Sequence, residues 1–137
     1  MLPGRVTPAE IASIYKEADA LLLTLVGDPM VALTVPSKLQ SYLAAGRPII
    51  AAADGEAAKI VGSSGSGLCC SAGDPQQLAS TIRHMYALTQ QEREQLGASG
   101  RQYFEAHYQA DVLTQKLVDG LTKVAAGDRM HAFRSGD

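Results

Sequence analysis

The sequence contains few of the residues that build disulfide or metal-centred proteins. Among its 137 residues there is no tryptophan, and there are two cysteines and three histidines. Cys69 and Cys70 are neighbours in an apolar run, where adjacent side chains of a strand point to opposite faces, so a bridge between them would be strained. The histidines are scattered, and no four-ligand zinc pattern is present. The sequence therefore predicts two reduced core cysteines and no metal centre.

An excess of positive charge is also missing. Twelve Lys and Arg residues stand against 14 Asp and Glu residues, which gives a net charge of −2, and no segment gathers enough basic side chains to bind a polyanion. The longest uncharged apolar stretch, residues 20–26, is far shorter than the roughly 20 residues of a membrane-spanning helix. The opening MLPGRVTPAE lacks the apolar core of a secretory signal. We expect a cytoplasmic protein that binds no nucleic acid and has no transmembrane segment.

What the sequence does contain is the composition of one globular domain, with 46% apolar and 19% charged residues. Helical and strand patterns alternate, which predicts an α/β fold with a parallel sheet. The strand candidates are residues 20–25, 48–53 and 67–70. The first is continuously apolar, as expected of a strand that helices cover on both faces, and the other two have a similar pattern.

Helix starts are well marked. Thr7 and Thr89 each precede a glutamate by three residues, as in a capping box, and Asp74 precedes a proline. The predicted helices span residues 8–18, 37–45, 55–62, 75–88 and 111–124. A further helix follows Thr89 and is expected to break around Gly97 and Gly100. The helix after Asp74 is expected to turn Leu78, Ile82, Met85 and Tyr86 to the core.

Three strands make a small sheet, and one of its edges is left unexplained. The chain therefore has the pattern of a partial domain, residues 1–124, from which earlier β-α units are missing, followed by a flexible tail, residues 125–137. We expect marginal folding and self-association through the exposed sheet edge.

The loop and helix start between the first two strands form the strongest candidate site. In open parallel sheets ligands bind beyond the carboxyl ends of the strands, and a helix N-terminus offers free N–H groups and a positive dipole end to phosphate. Thr34, Ser37 and Lys38 add two hydroxyls and a cation there. The residues alone leave open a second interpretation, an ordinary Ser-capped helix with a solvated lysine.

Five segments of the chain carry a family resemblance: ADALLLTL, TVPSKLQSYLAAGRPII, DGEAAKIV, GSGLCCSAGDPQQLASTI and REQLGASGRQYFEAHY. In this order they resemble the second half of the C-terminal, donor-binding domain of the retaining GT-B glycosyltransferases of family 4, also called group 1. The resemblance extends over roughly Pro3 to Val124. The run SKLQSYLAAGRPI is especially similar to the branch that transfers sugars or amino sugars in bacterial cell-surface polysaccharide assembly.

The resemblance implies a Rossmann-like sheet and a nucleoside-diphosphate sugar as donor. Its pyrophosphate would lie against Thr34, Val35, Pro36 and Ser37 and the start of the following helix, with Lys38 beside it. In the family a glutamate five residues before the glycine of the A-A-G-[KR]-P turn binds the ribose hydroxyls, and that position is Ser41 here. The first acidic position of the family's E-x7-E signature falls on Leu33.

A second group of candidates follows the second strand. Asp54, Gly55 and Glu56 stand at its carboxyl end, on the same rim as the phosphate loop. The alternative is that Asp54 or Gly55 caps the next helix and Glu56 complements its dipole. If Asp28, Asp54 and Glu56 converged, the site would instead resemble the carboxylate cluster of a receiver-like signalling domain.

The resemblance also implies how the reaction would proceed. The diphosphate would leave with help from cations of an earlier unit, no metal or other cofactor would be needed, and the acceptor, a glycan or a lipid-linked glycan, would bind through a separate N-terminal domain that is missing here. We therefore expect this chain alone to transfer no sugar. A peripheral position of the parent enzyme at the inner face of the cell membrane stays open, as does an alternative function, a non-catalytic nucleotide- or phosphate-binding module or degenerate partner subunit.

Overall fold

The computed structural model describes residues 7–125, and within them helices alternate with three short strands. The helices are α1 (Pro8–Glu17), α2 (Pro29–Ala32), α3 (Ser37–Ala45), α4 (Gly55–Ser64), α5 (Pro75–Ala87), α6 (Gln90–His107) and α7 (Ala110–Ala125), and the strands are β1 (Leu21–Thr24), β2 (Ile49–Ala52) and β3 (Gly67–Cys70). The strands form one parallel sheet in the order β1-β2-β3, with Thr24 beside Ala52 and Ala52 beside Cys70. The predicted α/β fold, a three-strand parallel sheet flanked by helices, is confirmed.

The two faces of the sheet are covered unequally. On the first face, Leu21 and Leu23 of β1 pack with side chains of α3 and α4 in the main core. On the second face, α5 packs against β2 and β3, and all four residues of β2 are buried. Leu22 and Thr24 of β1 are exposed, because α5 leaves the second face of β1 open. The prediction that helices cover both faces of this first strand was therefore wrong, while it is confirmed for β2.

The outer edge of β1 is partly protected by a tyrosine. Leu21 and Leu25 donate their backbone N–H groups to β2 or its ends, so the peptide groups of Leu22 and Thr24 point to the outer edge. The hydroxyl of Tyr42, on α3, donates to the carbonyl oxygen of Leu22 at 3.0 Å. The predicted edge strand is thus present, and self-association through it stays a prediction.

The predicted helix starts are confirmed, whereas the predicted break in the helix after Thr89 was wrong. Thr7 and Thr89 each form a complete capping box, and Asp74 caps α5. The helix α6 runs without interruption through Gly97 and Gly100, both of which are buried. These glycines are contact points, because a Cβ on Gly97 would collide with the carbonyl oxygen of Gly46 and one on Gly100 would crowd Ser66. The close approach of α6 to the end of α3 explains the glycines that the sequence pattern marked as a break.

Several side chains lie farther out than predicted. Cys69 is exposed and only Cys70 is buried, so one of the two expected core cysteines is a surface residue. On α5, Met85 is buried, but Ile82 is 42% exposed and Tyr86 is 86% exposed, and the predicted core positions of these two residues were wrong. Tyr86 is not covered further because, among the described elements, only α5 packs on the second face of the sheet.

The last two described helices, α6 and α7, follow the sheet in the chain. Tyr103 and Phe104 of α6 pack against the main core, whereas α7 touches mainly α6. Apart from residue 125, the predicted tail lies outside the described residues, and the division at residue 124 stays a prediction. Between residues 7 and 125, no helix is both long enough and apolar enough to span a membrane.

Candidate functional site

The carboxyl ends of β1 and β2 bring two loops to one edge of the sheet. The first loop runs from residue 25 to residue 36 and contains α2, and the second joins β2 to α4. The loops meet at Gly55, which has φ +69°, and a Cβ there would collide with the carbonyl oxygen of Ala32. Gly55 therefore lets α2 pack against the start of α4, and any other residue would force the two loops apart.

The start of α3 presents backbone donors that lack acceptors. Pro36 occupies the N-cap position and supplies no side-chain cap. Leu39 donates its N–H group to the carbonyl oxygen of Pro36, whereas the N–H groups of Ser37 and Lys38 donate no hydrogen bond to the described part of the chain. Ser37 and Lys38 are exposed. In the alternative of a Ser-capped helix with a solvated lysine, the cap was wrong, because Ser37 is the first helical residue and Pro36 occupies the N-cap position. The exposed Lys38 agrees with the other half of that alternative.

The residues before α3 hold the loop in place. The hydroxyl of Thr34 donates to the carbonyl oxygen of Val31 at 2.8 Å, and the N–H group of Thr34 donates to the same atom at 3.0 Å. Thr34 thereby closes the end of α2, and its hydroxyl proton is already used, so that the hydroxyl can only accept a further hydrogen bond. Val35 packs against the main core. Both residues fix the position from which α3 begins.

Ser41 lies one turn further along α3. Its side chain is exposed, and its hydroxyl donates to the carbonyl oxygen of Ser37 at 3.3 Å. It lines a groove of about 530 Å³ between α1 and α3, together with Tyr15 and Lys16. A hydroxyl that bonds its own helix leaves at most an acceptor for a ligand, so the predicted part of Ser41 in ribose binding stays a prediction.

The three rim carboxylates each bind a nearby group. Asp54 accepts a hydrogen bond from the N–H group of Ala72 at 3.3 Å, and it stands at the N-cap of α4 without bonding to that helix. Glu56 pairs with Lys59 at 3.2 Å. Asp28 caps α2 through the N–H group of Met30 at 2.7 Å.

This arrangement weakens the receiver-like alternative. Within the described part of the chain, no three acidic, histidine or cysteine side chains lie close enough together to hold a metal ion. Asp54 instead ties the loop after β3 to the end of β2, and Glu56 lies in the first turn of α4, where a negative charge complements the helix dipole. Whether either residue also touches a donor stays a prediction.

The two lysines of the rim, Lys38 and Lys59, differ in whether they form an ion pair. Lys59 is held by Glu56, whereas the ammonium of Lys38 has no carboxylate within ion-pair distance among residues 7–125. The ammonium of Lys38 and two unbonded amides give the start of α3 positive charge. The arrangement can therefore bind an anion by two backbone hydrogen bonds and one charge.

Sequence reasoning missed the helix α2 and the apolar side chains that it carries to the surface. Met30 and Leu33 are both 74% exposed, and they lie in the loop that leads to Ser37. The pair Asp28-Pro29 was the signal that could have revealed the helix, because an N-cap aspartate before a proline at the first helical position is a typical helix start.

Cys69 faces a shallow cavity of about 490 Å³ beyond β2 and β3, which Asp54, Lys59 and Gln77 also line. Partial burial, and secondarily Cys70, raise the pKa of the Cys69 thiol above its usual value. The thiolate, which is the reactive form, is therefore disfavoured at neutral pH. This cysteine does not have the properties of a nucleophile.

Comparison with known proteins places these features in a family context. A family model described as glycosyl transferases, group 1, matches residues 1–87. No significant match was found among curated proteins or among solved structures. The matched segment ends with the last residue of α5, so it contains the whole sheet and both rim loops, while α6 and α7 lie outside it.

Proposed function

This chain belongs to the group 1 glycosyl transferases, and on that premise we propose that it forms the donor-binding part of a retaining, GT-B type enzyme of family 4. The donor is a nucleoside-diphosphate sugar. One observation carries the proposal: the N–H groups of Ser37 and Lys38 lack acceptors at the carboxyl edge of a parallel sheet. This is the edge where ligands of such sheets bind.

The described residues offer more hydrogen-bond donors and charge to the diphosphate than to any other part of the donor. A helix N-terminus carries roughly half a positive charge, and Ser37 and Lys38 supply two amides and an ammonium in consecutive positions. The hydroxyl of Ser37 offers a further donor. Thr34, Val35 and Pro36 act by holding the loop, and Asp54, Gly55 and Glu56 form the facing wall of the rim.

The reaction that fits this site is glycosyl transfer driven by the leaving group. The bond between the anomeric carbon and the diphosphate oxygen breaks, and the nucleoside diphosphate takes the electron pair. The acceptor hydroxyl attacks from the face that the diphosphate leaves and passes its proton to the departing diphosphate. Amides and an ammonium stabilise the departing charge, and each such contact is worth roughly 10²- to 10³-fold in rate. No metal is part of this proposal.

Assembly of a cell-surface polysaccharide is the proposed context, with a glycan or lipid-linked acceptor. The rim within residues 7–125 provides one ammonium without a carboxylate partner, Lys38, and no acceptor site is proposed within the chain. We therefore expect the purified chain to bind a nucleoside diphosphate and to transfer no sugar. Sugar transfer by the chain alone would contradict this part of the proposal.

Calorimetric titration of the purified chain with UDP, GDP, dTDP and ADP tests the binding site. Ser37→Pro removes the N–H donor at a position where proline suits a helix, and Ser37→Ala removes only the hydroxyl. Because a hydrogen bond to a charged group contributes about 1.5–3 kcal/mol, we expect Ser37→Pro to weaken binding roughly 10- to 100-fold. Ser37→Ala should weaken it less.

Two further variants complete this experiment. Lys38→Ala should also weaken binding, whereas Arg83→Ala, which removes an exposed cation from α5, should not. If none of the four nucleotides binds, or if Ser37→Pro binds as well as Ser37→Ala, the proposed diphosphate site is wrong.

Ser41 favours a second candidate function, a nucleotide- or phosphate-binding module that performs no transfer. A carboxylate can accept from both ribose hydroxyls, while the Ser41 hydroxyl is bonded to Ser37 within its own helix. Ser41→Glu distinguishes the two candidates. Tighter binding of a nucleoside diphosphate, with no change for inorganic phosphate, indicates a donor site that has lost its ribose contact.

A further inference from the structure

A polar cavity of about 440 Å³ lies at the amino edge of the sheet, opposite the edge of the proposed donor site. Three arginines line this cavity, and we call it the arginine cavity. Arg93 and Arg101 stand on one side of α6, and Arg47 lies in the turn that leads from α3 to β2. Two carboxylates, those of Asp19 and Glu94, line the same cavity. Five charged side chains therefore surround a space that the proposed function does not use.

Helix ends hold the guanidinium groups of the three arginines in place. Atom Nη1 of Arg93 donates to three carbonyl oxygens at the end of α5, at distances of 2.8–3.4 Å. Atom Nη1 of Arg101 donates to a carbonyl oxygen at the end of α3 at 2.7 Å, and atom Nη2 of Arg47 donates to one at the end of α1. Because these bonds restrict the rotation of the long side chains, less conformational entropy is lost when a ligand binds to them.

Arg47 and Arg93 keep further N–H groups for a ligand. A guanidinium has five N–H donors, yet Nε and Nη2 of Arg93 and Nε and Nη1 of Arg47 donate no hydrogen bond to the described part of the chain. Neither guanidinium forms an ion pair with a described carboxylate, whereas Arg101 pairs with Glu105 at 2.9 Å. Two fixed guanidiniums without a carboxylate partner favour the binding of an anion, and their planar forks match the geometry of phosphate oxygens.

The two carboxylates of the cavity do not pair with these guanidiniums. Within residues 7–125, the carboxylate of Asp19 accepts no hydrogen bond, and that of Glu94 accepts one, from Gln90 of the same helix at 3.1 Å. Neither carboxylate lies within ion-pair distance of an arginine or a lysine of that range. Since a carboxylate only accepts hydrogen bonds, the cavity holds donors for an anion and, apart from them, acceptors for hydroxyl groups. A ligand that satisfies both carries an acidic group and hydroxyls.

We propose that the arginine cavity binds a phosphate monoester that also carries hydroxyl groups, the class to which sugar phosphates belong. The phosphate accepts hydrogen bonds from Arg47 and Arg93, and the hydroxyls donate to Asp19 and Glu94. A phosphate monoester has about 1.5–2 negative charges at neutral pH, which suits two guanidiniums without a partner. The volume of about 440 Å³ falls within the roughly 300–1,000 Å³ of small-molecule sites. Because β1 and β2 separate this edge from the start of α3, the site is independent of the proposed function.

NMR spectra of the arginine side chains test the site directly. When glucose 6-phosphate is added to the wild-type chain, we expect the Nε–H signals of Arg47 and Arg93 to shift. Ser37→Pro, which weakens the proposed donor site, should leave these shifts unchanged, so that the two sites are tested separately. Calorimetry on Ser37→Pro should show that glucose 6-phosphate binds roughly 10-fold more tightly than inorganic phosphate, because its hydroxyls add hydrogen bonds to carboxylates. Glucose, which lacks the negative charge, should not bind.

Two cavity variants and one control, each added to Ser37→Pro, complete the test. Arg93→Lys keeps the charge but loses the guanidinium fork, and it should weaken the binding of glucose 6-phosphate about 10-fold. Asp19→Ala, at an exposed position, should bind inorganic phosphate at least as tightly as its parent and lose most of the preference for glucose 6-phosphate. Arg83→Ala, at an exposed position of α5, should change neither affinity. Unshifted Nε–H signals, equal affinities of the parent for the two phosphates, or an Asp19→Ala variant that keeps the preference would each overturn the proposal.

Discussion

At the scale of single residues, Tyr42 connects the core to the edge of the sheet. Its ring is buried and lies edge-on to Tyr15, with ring centres 5.2 Å apart, while its hydroxyl donates to the outward carbonyl oxygen of Leu22. Burial, followed by the neighbouring Tyr15, raises the pKa of Tyr42. The residue therefore satisfies an edge carbonyl that no strand in the described chain pairs.

Replacing this hydroxyl should have a pH-dependent effect. Tyr42→Phe is expected to lower the free energy of unfolding by about 1 kcal/mol at pH 8, the usual net value of a hydrogen bond. The pKa of Tyr42 is raised in the fold, so its contribution is fully present below about pH 10. It is lost as the pH rises through the folded-state pKa. Urea unfolding of both proteins at pH 8 and pH 10.5 measures this change.

The control for this experiment is Tyr86→Phe, which removes a hydroxyl from a strongly exposed ring. It should change the free energy of unfolding by less than about 0.5 kcal/mol. A difference between wild type and Tyr42→Phe that is the same at both pH values would contradict the assigned role of the Tyr42 hydroxyl.

The candidate site shows which structural features a local residue pattern can predict. The helix start at Ser37 was predicted to the residue, because Pro36 and the glycine at position 46 mark both ends of α3. The partner of Asp54 could not be predicted. The hydroxyl of Thr34 bonds within its own loop, but Asp54 bonds to Ala72, 18 residues away, and only the folded chain brings these groups together.

At the scale of elements, α6 approaches the end of α3 so closely that a side chain at Gly97 or Gly100 would not fit between them. Gly97 in the middle of α6 touches the backbone of Gly46 and Arg47, and Gly100 contacts Leu43 and Ser66. A glycine inside a helix weakens the helix by roughly 0.5–1 kcal/mol relative to alanine. In α6 that cost is offset by the close packing of two helices.

A pair of alanine substitutions separates these two effects. Gly97→Ala is expected to reduce the free energy of unfolding by about 1–3 kcal/mol, because the added methyl forces α6 away from the α3 turn. Gly62→Ala, inside α4, meets no atom within 4 Å and should stabilise the protein by about 0.5–1 kcal/mol. Thermal and urea unfolding measure both changes. If the two variants shift stability in the same direction, the close contact at Gly97 does not control the packing of α6.

Three arginines hold the carboxyl ends of helices at the amino edge of the sheet. Arg93 donates to the carbonyl oxygens of Met85, Tyr86 and Leu88 at the end of α5, and Arg101 donates to that of Ala44 at the end of α3. Arg47 donates to the carbonyl oxygen of Lys16 at the end of α1. A guanidinium satisfies carbonyls that a helix leaves unpaired and opposes the negative end of its dipole.

At the scale of the whole molecule, the protection of the sheet falls from its centre to the β1 edge. Both neighbours of β2 are strands, and both of its faces are covered. The strand β1 has a neighbour on one side and a cover on one face. This asymmetry places the β1 edge among the parts of the sheet that open most readily.

Amide hydrogen exchange should report this asymmetry with single-residue resolution. Leu21 and Leu25 donate to Pro48 and Ala52 and should exchange slowly, while Leu22 and Thr24, whose N–H groups point outward, should exchange faster by a factor on the order of 100. Two-dimensional NMR of the wild-type chain in D₂O measures the rates. If Thr24 exchanges as slowly as Leu21, another strand pairs with this edge in solution.

By itself, the sequence determined the alternation of helices and strands, the parallel sheet, the helix starts at Thr7, Ser37, Asp74 and Thr89, and the family to which the chain belongs. These features depend on residues close together in the chain, whose caps, glycines and apolar runs act over one or two turns. Only the tertiary structure decided which face of β1 is covered, why α6 contains two buried glycines, and which carboxylates of the rim are already bound. Those properties depend on contacts between elements far apart in sequence, and a local pattern carries no information about the distance between them.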